Sequence, residues 1–140
     1  MAEGQVGAGA RAVRPRLHGG FTALTALSPT GQSRPFHRDA DGLVPAEGAG
    51  VLALMRLDEA VRRDKRVLGV IRGVGLSNDG RARNLLAPAK DGQVRAMRAA
   101  YAMSGVDPNE VSLVECHATG TPTGDGVELA SMREVFGNHA

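Results

Sequence analysis

The stretch V-E-C-H-A-T-G-T-P-T-G-D-G-V-E, residues 114–128, constrains this chain more than any other part of it. An apolar run at 111–116 ends in His117. A loop of Thr-Gly steps follows, and then a carboxylate opens a helical pattern. This succession predicts an imidazole, two hydroxyls and several small residues at the carboxyl end of a strand, where open α/β sheets place their chemistry.

The rest of the chain supports an α/β class. Residues 48–57 predict a buried strand, 58–66 a short charged helix and 67–75 a second, β-branched strand. An amphipathic helix is expected over 91–104, with Val94, Met97 and Tyr101 on one face and Gly105 as its stop. Asp107-Pro108 has the form of an N-cap and first position of a short turn. Residues 111–116 predict a third strand, and 126–136 a last helix ended by Gly137. Residues 28–44 form a long loop rich in Pro, Gly and Asp. Loops of this length without periodic structure are usually functional or fold-specific. Residues 17–27 mix strand and helix character, and Gly19-Gly20 suggests close backbone approach. Residues 1–16 are rich in Gly, Ala and Arg without a hydrophobic period, which predicts a disordered leader. The domain then occupies 17–140.

Composition excludes several classes. The 140 residues are 42% hydrophobic and 23% charged, with 3% aromatic residues, 19 glycines and a net charge of +2. One domain with a core of Val, Leu, Ala and Met fits these values. Basic and acidic residues are mixed, with no basic run interleaved with aromatics, so nucleic-acid binding is not expected. No apolar stretch is long enough to span a bilayer. A single cysteine excludes an internal disulfide framework, and a reducing cytoplasm is the expected compartment.

Four kinds of residue could carry chemistry. His117, surrounded by small residues, could donate a hydrogen bond to a developing oxyanion or transfer a proton near neutral pH. Thr119 and Thr121 alternate in the loop and suit the amides of an extended ligand; the alternative is hydrogen bonding to the loop's own backbone. Asp125 and Glu128 lie one helical turn apart. Either they answer the helix macrodipole or they pair with a cation from elsewhere in the fold. Cys116 adjoins His117, but neighbours in a strand point to opposite faces, so a Cys-His dyad is not expected and the thiol reads as a small buried hydrophobe. Glu47 suggests a buried ion-pair or hydrogen-bond partner. His18, His37 and His139 have no spacing to Asp or Glu that suggests a metal site.

Together these residues resemble the β-ketoacyl synthase (ketosynthase) family of fatty-acid and polyketide synthases. Three blocks carry the likeness in order: A-L-S-P-T-G-Q-S-R-P-F-H-R-D-A-D-G-L-V-P-A-E-G-A-G-V-L-A-L, V-I-R-G-V-G-L-S-N-D-G-R and V-E-C-H-A-T-G-T-P-T-G-D-G-V-E. The last is similar to the family pattern H-G-T-G-T-P-x-G-D-x-x-E. The resemblance implies a partial thiolase-like α/β fold, the end of the N-terminal half plus the first part of the C-terminal half. It implies a decarboxylative Claisen condensation of acyl thioesters with malonyl thioesters on acyl-carrier protein, with a homodimer in the intact family. By motif match, His117 is one of two histidines serving decarboxylation and the oxyanion. Thr119 and Thr121 match contacts to the phosphopantetheine arm, while Asp125 and Glu128 match acidic supports of the site. No resident cofactor or metal is implied.

The sequence departs from the pattern at several points. It contains no D-T-A-C-S-type nucleophile block, no K-x-N-x-G-H-type block and no second matching histidine. Ala118 and Ala46 stand where glycines are usual, and Leu86 where a threonine is common. The expectation is a central piece of a ketosynthase that is not active alone. A non-catalytic remnant that binds carrier protein or pantetheine is the alternative, and a plain αβ scaffold with remnant motifs is the third.

Overall fold

The computed structural model describes residues 5–10, 15–46, 48–80 and 87–137. Its elements are β1 (Gln5–Ala10), α1 (Pro15–Ala23), β2 (Gly48–Ala53), α2 (Leu57–Arg62), α3 (Lys90–Ser104), a 3-10 turn (Pro108–Glu110) and α4 (Pro122–Phe136). They fall into two compact units, Met1–Ala23 with Pro45–Ile71, and Leu24–Val44 with Arg72–Ala140.

In the first unit, β1 and β2 pair antiparallel, with Gln5 opposite Ala53 and Ala10 opposite Gly48. The sequence predicts disorder for Gln5–Ala10, and here the structure differs. Its Gly-Ala alternation carries no hydrophobic signal, yet a ladder is built from main-chain groups and needs none. β2 is shorter than the expected 48–57, and it is exposed along its whole length rather than buried. Val51 is 80% and Leu52 68% exposed, because a two-stranded ribbon provides no second layer. α1 takes in Gly19 and Gly20, and a Cβ at either would meet nothing within 4 Å. Close approach therefore does not explain that pair. α2 follows the expected charged pattern over a shorter span. Its Glu59 pairs with Arg62 and Arg63 one turn on, and Ala60 is buried.

The second unit is built on α3 and α4. α3 ends where expected, on Gly105 in the left-handed conformation at φ 66°. Of the predicted face, Val94 is buried and Met97 and Tyr101 are half-buried. The Tyr101 ring meets Phe136 of α4 edge-on, with centroids 5.8 Å apart. Glu134 of α4 receives Lys90 at 2.7 Å and Arg98 at 3.0 Å from α3. Asp107 caps the 3-10 turn by accepting from the Asn109 amide at 2.9 Å. The segment 72–76 lies on α3 through Gly73 and Gly75. A Cβ on Gly75 would run into the Ala96 carbonyl oxygen, and one on Gly73 into that of Ala100. Only glycine permits this approach. The alternate residues Val74 and Leu76 are 54% and 89% exposed.

Two predicted strands are not strands here. Neither 67–75 nor 111–116 joins a ladder. Among the described residues the pairings are β1 with β2 and an isolated parallel bridge from Leu27 to Leu43. Apolar, β-branched sequence favours extended backbone, and Val111 has it at φ −82°, ψ 120°. A strand additionally needs a neighbour to accept its hydrogen bonds. No helix among the described residues is long and apolar enough to cross a membrane.

Among the described residues, Ala60 and Val94 are the buried hydrophobic ones, whereas Leu68, Ile71, Leu76 and Leu113 are each at least two-thirds exposed. Apolar burial contributes roughly 25 cal/mol per Å², so this surface is a large unrealised contribution to stability. The purified 140-residue chain should therefore bind an apolar-surface dye and self-associate on size exclusion. A dye-silent monomer with a sharp, high thermal transition would contradict this.

A second prediction concerns pH. The hydrogen bond from Lys90, reinforced by the Lys90 and Arg98 charges, holds the Glu134 carboxyl below its ordinary 4.5. A lowered folded pKa gives stabilisation that is complete above the ordinary value and is lost as pH falls through the folded one. Thermal melts between about pH 6 and pH 3 should lose this contribution on acidification. In Glu134→Gln that component of the pH dependence should vanish; an unchanged profile would show that the clip between α3 and α4 is energetically silent.

Candidate active-site loop

The site lies wholly within the second unit, on the loop 117–121 and the first turns of α4. α4 begins at Pro122, four residues before the expected start. Pro122 occupies the first helical position, where its missing N–H is harmless. Thr121 is the N-cap, its Oγ1 accepting from the Gly124 amide at 3.3 Å. The Thr-Pro pair is the sequence signal for this start.

Glu128, in the second turn of α4, reaches back to the loop. Its Oε1 accepts from the His117 amide at 2.6 Å and its Oε2 from the Ala118 amide at 2.9 Å. This grip coincides with strain, since Ala118 sits at φ 47°, a region a residue with a Cβ enters at some cost. Glycine would adopt this conformation freely.

Asp125 is buried, at 4% exposure, and also accepts main-chain amides. Its Oδ1 takes the Gly120 N–H at 3.0 Å and its Oδ2 the Phe36 N–H at 2.7 Å. The sequence offers two roles for these carboxylates, answering the macrodipole or pairing with a cation. The structure instead gives both of them backbone partners. Phe36 is not singled out by the sequence, and an amide donor leaves no signature in residue type.

Thr119 and Thr121 do converge. Their Oγ1 atoms are 2.9 Å apart, and the Thr119 Oγ1 also accepts weakly from the Thr121 amide at 3.4 Å. Both hydroxyls thus take part in local hydrogen bonding. Each is half-buried and retains capacity toward a ligand, because a hydroxyl has one donor and two acceptor positions. Gly124 is needed beside them, as a Cβ there would lie 3.0 Å from the Thr119 Oγ1.

His117 is exposed, and its imidazole makes no hydrogen bond among the described residues. Cys116 turns away from it: Sγ donates toward Met132 Sδ at 3.4 Å. Burial, followed by the Glu128 and Glu115 charges, pushes this thiol above its ordinary value. A protonated thiol is a poor nucleophile, so the dyad fails on both geometry and charge. Among the described residues no group of three His, Cys, Asp or Glu is placed to hold a metal. His37 is paired with Asp39, its Nδ1 accepting from the Asp39 amide at 3.1 Å. Glu47 and Leu86 lie outside the described residues, as does His139.

Comparison with known proteins assigns this loop to a family. The profile of the β-ketoacyl synthase C-terminal domain matches residues 68–140, more than half of the chain, and that of the N-terminal domain matches residues 6–60. The chain belongs to the β-ketoacyl synthase family, a family of condensing enzymes. It is 47% identical over 125 residues to a mycocerosic acid synthase-like polyketide synthase of Mycolicibacterium smegmatis, covering 89% of this chain and 6% of that protein. A phthioceranic/hydroxyphthioceranic acid synthase of Mycobacterium tuberculosis is 46% identical over 125 residues, which are 89% of this chain and 6% of that protein. The chain thus spans a small part of the length of these relatives. The ketosynthase from module 6 of the bacillaene synthase of Bacillus subtilis superposes with a TM-score of 0.90 at 35% identity, over 97% of this chain and 24% of that one. The fold is therefore the corresponding part of the thiolase-like α/β fold. The two profile matches place it across the junction of the family's halves, as the sequence blocks implied.

The Glu128 grip and the Ala118 strain make opposite predictions. Glu128→Ala strands two amides, and should lower stability by about 1–3 kcal/mol in chemical denaturation. Ala118→Gly relieves the left-handed strain but frees the unfolded chain. It should fall between neutral and about 1 kcal/mol more stable. A clearly destabilised Ala118→Gly would mean that the loop conformation is not the one described.

Proposed function

We propose that this chain supplies one face of a ketosynthase condensation site, in which His117 acts on a malonyl thioester held on the phosphopantetheine arm of an acyl-carrier protein. One observation supports this above the others. The loop amides of His117, Ala118, Gly120 and Thr121 have side-chain acceptors, and the exposed His117 imidazole makes no hydrogen bond among the described residues. Such an arrangement fixes a backbone and presents a ring. In the condensation, the malonyl C–C bond to carboxylate breaks and carbon dioxide leaves. His117 donates a hydrogen bond to the thioester oxygen, which takes up the developing charge. The resulting enolate carbon attacks an acyl thioester on a cysteine, a C–C bond forms, and the cysteine thiolate departs. Thr119 and Thr121 bond the amides of the arm. Asp125 and Glu128 hold the loop in shape and do not touch the reacting atoms.

The nucleophile in this scheme is not within the 140 residues, whose one cysteine is Cys116. Nucleophilic catalysis needs an activated nucleophile near its partner groups. On this reading the 140 residues alone should not condense acyl groups, and within an intact synthase they would supply a histidine and a pantetheine contact.

Two half-reactions test the reading. In an intact ketosynthase carrying residues 17–137 of this chain, His117→Ala should cut malonyl decarboxylation at least a hundredfold, roughly the loss of one preorganised oxyanion donor. Acylation of the cysteine should be largely unaffected. Normal decarboxylation in the variant would remove His117 from the chemistry, and condensation by the 140-residue chain alone would reveal a nucleophile outside this account.

A further inference from the structure

Asp125 joins parts of the chain 89 residues apart. The loop it reaches, 28–44, is itself braced. The Ser28 amide donates to the Leu43 carbonyl at 2.9 Å, and the Leu43 amide to that of Ala26 at 2.8 Å. Inside the loop, Asp41 accepts from the Ser28 and Thr30 hydroxyls at 2.7 Å each and from Arg34 at 3.3 Å. Phe36 is presented from this brace in the left-handed region, at φ 60°, with its N–H aimed at Asp125. Beside it, the Gly42 amide donates to the Gly120 carbonyl at 2.9 Å. Gly120 is therefore held at both ends of its residue, N–H by Asp125 and C=O by Gly42. It leaves no room for a side chain, since a Cβ would stand 2.9 Å from the Gly42 oxygen.

We propose that Asp125 is a positioning residue which, through the Phe36 main-chain amide, makes the braced loop 28–44 a fixed strut for the Thr119–Thr121 hydroxyl pair. Gly120 is the residue between the two threonines, so fixing both of its peptide groups fixes the bearing of both hydroxyls. The carboxylate is required because it offers two acceptors. An Asn in its place offers one oxygen and sets an amide NH₂ against a main-chain N–H. Residues matched by the N-terminal profile thereby set the geometry of residues matched by the C-terminal one. The effect on binding rests on the reading that the threonine pair receives pantetheine; the mechanical link does not.

The test uses the 140-residue chain with phosphopantetheine as the probe. Amide exchange by NMR should show Phe36 and Gly120 protected in the unaltered chain. In Asp125→Asn both should exchange at least about tenfold faster, together, while Val94 in α3 keeps its protection. Affinity for phosphopantetheine should fall roughly ten- to a hundredfold, the range for losing a hydrogen bond to a charged group. Phe36→Gly keeps the amide and tolerates the positive φ. It should retain coupled protection and bind within about threefold of the unaltered chain. Free exchange at Phe36 or Gly120 in the unaltered chain would overturn the strut. So would continued protection of Phe36 in Asp125→Asn, or a loss in Phe36→Gly as large as in Asp125→Asn. Coupled exchange with no phosphopantetheine binding by the unaltered chain would leave the strut standing and refute the pantetheine reading instead.

Discussion

The arrangement of this site depends on a buried carboxylate that accepts two main-chain amides. Taking Asp125 out of water is unfavourable unless its oxygens are satisfied, and both are, by Gly120 and Phe36. The consequence is directional. Hydrophobic contact would hold the two loops near each other without fixing their bearing, whereas two hydrogen bonds of defined geometry hold them in one orientation. With Val94 the one buried hydrophobic residue of this unit among those described, packing contributes little to the shape of this region. Polar geometry takes its place.

Glu128 completes the arrangement. Together the two carboxylates and the Thr119 hydroxyl take up the amides of His117, Ala118, Gly120 and Thr121. A loop with free amides could itself bind an oxyanion. This one has committed four of its five amides to its own conformation, including that of the strained Ala118, and the His117 ring stands uncommitted beside them. That is a division between backbone and side chain: the first defines where the ring stands, the second is left for chemistry. Local strain at such a position persists because the surroundings over-determine it.

How much of this is legible in the sequence follows from what each signal encodes. The helix at Lys90–Ser104 is legible because its apolar spacing, its glycine stop and its packing all agree. The turn at Asp107-Pro108 is legible from two residues, because its stabilising contact is local. The segments 67–75 and 111–116 read as strands on composition, yet pairing is a property of two segments and the sequence of one does not contain its partner. β1 escapes for the converse reason, as its ladder is made of main-chain groups and its Gly-Ala residues carry no pattern. At the site, the motif supplies the residue types. It does not supply their partners: Asp125 and Glu128 bind amides, and an amide has the same identity at nearly every position. Phe36 cannot be found from sequence because its side chain is irrelevant to the contact.

These two kinds of failure explain why the site is well defined in a chain with so little core. The extended segments depend on neighbours across a sheet, and their apolar residues, such as Leu76 and Leu113, stand exposed where no neighbour is described. The loop 117–121 depends on α4, which continues directly from it, and on a loop already closed by the Leu27–Leu43 bridge and the Asp41 hydrogen bonds. Each of its ties is made within one compact unit. Geometry that rests on short-range polar contacts needs little from the layers around it, whereas stability that rests on burial needs all of them. The conformation of the loop and the stability of the chain are thus separable, and a change that alters one need not alter the other.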